Sequence, residues 1–207
     1  AEAPIAMPTE ALPDDAPADA RPLELVNYGF GVGELGAGWG LVARNPNTDY
    51  AVADSRYTLT VFDTAGNAIH SEEGSLMVLL PGQTTGAAGA LLVGDEEAIA
   101  AIEVVLQTGR FVAASAGPDI TAQNVMFMES TFVDGVGGML VNPYKVDWAG
   151  LRVWAVAFDE AGNVIGGGTT ILDLLPSMGS AVVAVPVEVS AKPARVELFA
   201  GPEELPE

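Results

Sequence analysis

The chain has 207 residues, 49% of them hydrophobic, with 24 glycines, 14 prolines, no cysteine and a formal net charge of −20 at neutral pH. The charge excludes a nucleic-acid or anionic-lipid partner, since both need a basic surface. The missing cysteine excludes disulfides, thiolate metal sites and cysteine nucleophiles, and no apolar run approaches the roughly 18 residues of a membrane span.

Ala1-Glu2-Ala3-Pro4 reads as the end left when a signal peptide is cleaved after small residues, although engineering gives the same start. A secreted or cell-surface protein is therefore expected. Residues 1–22 form a Pro/Ala/acid segment with prolines at 4, 8, 13, 17 and 22. Proline at that spacing blocks helix and predicts an extended, polyproline-like arm. Ile5-Ala6-Met7 is its one compact apolar patch, suited to lie against a sheet. Two antiparallel sandwiches are expected next, over residues 23–115 and 116–201, with an acidic tail over 202–207.

In the first, Leu23-Glu24-Leu25-Val26 reads as a strand, followed by a Gly-rich passage from Gly29 to Gly40, in which Gly31 to Gly36 reads as a flexible bend between strands whose glycines allow close packing or a crossing between sheets. Asn45-Pro46-Asn47 makes a turn. Tyr57 to Phe62 alternates with period 2, the mark of a strand with one buried face. A further strand is expected near Leu76–Leu80, ended by Pro81-Gly82, and two more at Ala90–Val93 and Ile102–Leu106. Asp95-Glu96-Glu97 suits the first turn of a short helix.

The second sandwich repeats this order about 96 residues later. Val61-Phe62-Asp63-Thr64-Ala65-Gly66-Asn67 returns as Ala157-Phe158-Asp159-Glu160-Ala161-Gly162-Asn163. Asn142-Pro143-Tyr144 matches Asn45-Pro46-Asn47, and Leu174-Leu175-Pro176 matches Leu79-Leu80-Pro81. The repeated hairpin has structural roles throughout: Phe62 and Phe158 for the core, Asp63 and Asp159 for the turn amides, Gly66-Asn67 and Gly162-Asn163 for positive φ. The short bridge near Ala114–Pro118 leaves the sandwiches little relative freedom.

The Asn-Pro turn, the Phe-Asp-x-x-Gly hairpin and the Leu-Pro-Gly before a late strand together resemble FxLYD-type domains, over about residues 39–108 and 137–200. The second copy departs from the pattern with Ser177 after Pro176 and Ala157 before the Phe. The resemblance implies immunoglobulin-like modules of secreted and surface-attached bacterial and archaeal proteins, and it carries no catalytic residue.

Candidate chemistry is sparse. His70 stands alone and cannot build a multi-histidine metal site. Gly31-Val32-Gly33-Glu34-Leu35-Gly36 fits the dinucleotide pattern in letters but lacks its βαβ context. Acid pairs such as Glu72-Glu73 and Asp159-Glu160 do not fall in a calcium-loop pattern. Trp39, Trp148 and Trp154 divide between core packing and a sugar platform, with Trp148, in a loop, the best surface candidate. No catalytic residue, metal or cofactor is expected. The favoured reading is a non-enzymatic structural protein that assembles with itself or with other surface proteins, its arm adding a strand to a neighbour. A carbohydrate- or protein-binding module is the alternative, and a carboxylate hydrolase the third.

Overall fold

The computed structural model describes residues 12–33, 36–91 and 99–201. Ile5-Ala6-Met7, Asp95-Glu96-Glu97 and the acidic tail lie outside the described residues. The fold is all-β, with antiparallel sheets, and among the described residues no helix is long and apolar enough to cross a membrane. The first half holds β1 (Glu24–Val32), β2 (Ala37–Arg44), β3 (Tyr50–Ala53), β4 (Arg56–Asp63), β5 (Ala68–Ser75), β6 (Thr84–Leu91), β7 (Ile99–Gln107) and β8 (Arg110–Ala113). The second holds β9 (Thr121–Met128), β10 (Gly135–Val141), β11 (Trp148–Phe158), β12 (Val164–Leu175), β13 (Ser180–Pro186), β14 (Glu188–Val189) and β15 (Arg195–Ala200).

Strand order repeats between the halves. Sheets β1-β2-β6 and β5-β4-β7 in the first half have the same plan as β9-β10-β13 and β12-β11-β15 in the second, where β14 extends β12; β3 and β8 form a separate ribbon. On β4 the expected alternation holds: Tyr57, Leu59 and Val61 point into the core, and Thr58 and Thr60 point outward. Phe62 falls on the outward set. It is half-buried and outside the core cluster, which corrects the role its matched position predicted. Phe158, 2% exposed, is in the core.

That difference shows how the halves are arranged. β2 is buried on both faces. Its Trp39 meets Tyr57 of β4 edge-on at 5.3 Å between ring centroids, so one face lies against β5-β4-β7. The other presents Gly38 and Gly40, flanked in register by Gly31 and Gly29 of β1 and by Ala90 and Ala88 of β6. Trp154, Val156, Phe158 and Val164 of the second half close over it and belong to the first core cluster. The alternate residues of β11, Val153 and Ala155, join the second cluster with Val136 and Leu140 of β10. The sheets therefore stack in four layers: β5-β4-β7, β1-β2-β6, β14-β12-β11-β15, β13-β10-β9.

The two middle layers are unusually close. Facing Cα atoms of β2 and β12 come within 8 Å, where sheets ordinarily pack about 10 Å apart. A Cβ on Gly38 would stand 2.6 Å from the Gly167 carbonyl oxygen, and one on Gly167 would stand 2.7 Å from the Trp39 carbonyl oxygen. Gly29 to Val32 of β1 and Ala37 to Gly40 of β2 are paired strand residues, so the bend expected from Gly31 to Gly36 is shorter than read, and its Glu34 and Leu35 lie outside the described residues; the close packing expected of the glycines is present along the strands.

A second local feature fixes the strand ends. Asn45 is fully buried; its amide donates to the carbonyls of Tyr50 (2.8 Å), Leu79 and Leu80 (both 3.1 Å). Its side-chain oxygen accepts from the Asn47 backbone and side chain at 3.0 and 2.8 Å. Asn142 repeats this, donating to Val146 (2.8 Å) and Pro176 (2.9 Å) and accepting from the Tyr144 amide (2.9 Å). The Asn-Pro and Leu-Pro motifs, far apart in sequence, are two sides of one hydrogen-bonded cluster. The strand expected over Leu76–Leu80 is reduced to a single bridge, Val52 to Leu79, whose Leu79 carbonyl accepts from both the Val52 amide and Asn45. Residues 13–20 make two turns, Ala16 N to Pro13 O and Ala20 N to Pro17 O, each 3.0 Å. The extended path expected there gives way because three non-proline residues between prolines suffice to close a turn.

Three substitutions separate these features. Gly38→Ala is expected to cost about 1–3 kcal/mol by forcing the middle sheets apart. Gly36→Ala, whose Cβ would meet nothing nearer than 3.9 Å, is expected to stay within about 0.5 kcal/mol of wild type. Asn45→Ala, which strands buried carbonyls, should cost about 1–3 kcal/mol. Urea denaturation of each variant checks all three values.

Candidate functional site

The repeated hairpins are built from the turn outward. Asp63 Oδ1 accepts from the Ala65 and Asn67 amides, each at 2.8 Å, and Oδ2 accepts from the Asn67 side chain at 3.0 Å. Asp159 accepts from the Asn163 amide and side chain, both at 2.8 Å. Gly66 (φ 81°) and Gly162 (φ 84°) supply the left-handed residue of each turn. Asn67 and Asn163 do not share it: their φ is negative, which corrects the expectation for the Gly-Asn pairs. The asparagines serve instead as donors to the carboxylates. These hydrogen bonds, the Asn side chain first, hold both carboxyl groups below the ordinary aspartate range. In both hairpins the Asp carboxylate is thus engaged by the turn itself.

Of the three tryptophans, Trp39 and Trp154 are core residues, 2% and 6% exposed. Trp148 opens β11, half-buried, with its ring edge-on to Tyr144 at 6.1 Å and packed on the second core cluster. Its indole nitrogen is buried without a partner. It forms a wall of that core, and its ring is not a free platform.

A cleft of about 680 Å³ bearing polar groups lies where the halves meet. Strands β4 and β5 contribute Tyr57, Glu72 and Glu73, β2 contributes Trp39, and β11 contributes Arg152 and Trp154. Tyr57 lies opposite Gly74 in register, and its phenol covers that glycine. Burial first, then the Glu72 charge, pushes the phenol up to about 12, partly opposed by Arg152. It is therefore a neutral donor at physiological pH. His70 Nε2 approaches Glu72 Oε2 at 3.5 Å. Among the described residues no three His, Cys, Asp or Glu side chains come together as a metal site. The lining includes two arginines, Arg56 and Arg152, three acidic residues, Asp54, Glu72 and Glu73, and a neutral phenol, an arrangement suited to holding a polar ligand. Glu72-Glu73 and Trp154 stand out separately in the sequence; Arg152 carries no such signal, because what brings it there is the stacking of the halves.

The hairpin carboxylates give a test in pH. A folded-state pKa below the unfolded value of about 3.9 means that each hairpin's contribution is complete above that value and is lost as pH falls through the folded value. Carboxyl-carbon NMR titration should place Asp63 and Asp159 below the other exposed aspartates, and Asn67→Ala should move Asp63 upward while leaving Asp159 in place. No protein-family model and no curated protein matches the chain.

Proposed function

We propose that the protein is a non-enzymatic structural subunit of an extracellular or cell-surface assembly built from copies of itself. In this reading residues 23–115 and 116–201 are duplicated immunoglobulin-like units of FxLYD type. The supporting observation is the face-to-face fusion of the halves. β2 and β11 are each buried on both sides, so the units form one block with no hinge between them. Such a block suits a building element, which must transmit its geometry to the next copy. An enzyme or receptor would gain nothing from losing the mobility of its two parts. The apolar Ile5-Ala6-Met7 patch supplies the link by adding a strand to a neighbour's sheet edge, a heterologous contact that propagates into filaments.

The cleft at Tyr57, Glu72 and Arg152 favours a second reading, a surface module that binds carbohydrate or protein. The two are separated by experiment. Negative-stain microscopy of the full chain is expected to show extended polymers, and replacing Ile5 and Met7 by Asp is expected to shorten or abolish them. Single particles from the unaltered chain, together with a glycan-array signal that Arg152→Ala removes, would instead establish the binding module.

A further inference from the structure

The outer sheet β13-β10-β9 turns a face to solvent that is made from the same parts as the face β1-β2-β6 buries. Gly135 and Gly137 of β10 hold the register positions of Gly38 and Gly40, and Ala184 lies beside Gly137 as Ala88 lies beside Gly40. Where the buried face has Gly29, Gly31 and Gly86, the outer one has Met126, Met128 and Val182. Val182 is 80% exposed and Met126 57%, with Phe132, 85% exposed, in the turn beside them. Met128 lies across Gly135 and Gly137, with side-chain atoms 3.1–3.4 Å from where their Cβ atoms would be. An unbranched thioether filling that groove is readily displaced.

The outward positions of these three strands carry no charge, in a chain with 28 acidic residues. We infer that this face docks against the same face of a second copy, in an isologous pair related by a twofold axis. The inference rests on the self-association reading above and names the surface that serves it. Copies with a net charge of −20 repel one another, and the repulsion is weakest across a face whose own outward positions carry no charge. The opposite outer face, on β5-β4-β7, is not built to receive it. Its outward positions place Glu73 and Glu103 beside Thr58 and Thr60, and covering those carboxylates with an apolar sheet would leave them desolvated and unpaired. Exposed methionine, valine and phenylalanine meet their own kind without that cost, and the glycines allow close approach, as they do inside the chain.

The test uses sedimentation velocity on the full chain with Val182→Lys and, as control, Thr60→Lys. Val182→Lys should lower the association constant at least tenfold with an unchanged melting temperature, and Thr60→Lys should leave it within twofold. Since the chain has no cysteine, Val182→Cys carries a unique thiol, and a short bismaleimide should join two such chains. A mixture of Val182→Cys with Thr60→Cys joined in preference would show head-to-tail stacking, and one with Met7→Cys would show the arm on this face; either overturns the pair. Wild-type assembly undiminished by Val182→Lys, and without the Val182 cross-link, overturns the face but leaves self-association standing. Monomers from the unaltered chain at about millimolar concentration overturn both.

Discussion

The structure depends on one contact: the backbone of β2 lying directly on the backbone of β12. Sheets that pack through side chains keep their distance and tolerate exchange of one apolar residue for another. Here the spacing is set by what is absent. Gly38 and Gly167 let carbonyls approach to where a methyl group would otherwise stand, and Gly40 admits the side chains of Val156 and Val164. Trp154, Val156 and Phe158 are thereby carried into a core that belongs by sequence to the other half. The result is a four-layer stack in which β2 and the Val153 to Phe158 part of β11 are buried on both faces.

Each half also needs its turns held, and buried amides do this. Asn45 and Asn142 act as the missing end of a ladder, satisfying carbonyls where the chain leaves the sheet. An unpaired buried carbonyl is costly, so one side chain with two donors does the work of several residues of strand. Asn47 extends the cluster to the arm: its side chain donates to the Arg21 carbonyl and accepts from the Arg21 amide, each at 2.8 Å. The start of β1 and the exit from β2 are thus tied together.

Much of this was legible in the chain and some was not. Period-2 alternation located β4, and matched letters placed β11 and aligned the hairpins, because strand periodicity and turn chemistry are local. The same alternation showed that Phe62 shares a face with Thr58 and Thr60, so its outward position was readable; the matched motif drew attention from it. The contrast with Trp154, Val156 and Phe158 carried the stacking in plain view: one face is polar in the first copy and apolar in the second. What could not be read was which sheet covers it. A row of glycines means a bend, a bulge or a close approach with equal economy until the opposing backbone is known. The cleft at Arg152 depends on that same long-range contact and was hidden for the same reason.

The glycine-paved face has a bearing on how the protein is made. Chains emerge from the ribosome N-terminus first, and β1, β2 and β6 are complete before β11 and β12 exist. During that interval the inner face of the first half stands in water, waiting for a cover still to be synthesised. A face of leucines in that position would be an adhesive surface on every nascent chain. Glycine and alanine offer almost no apolar area to a wrong partner, yet they fit the right one at a separation few other sequences permit. The same residues that make the finished interface tight keep the unfinished one harmless.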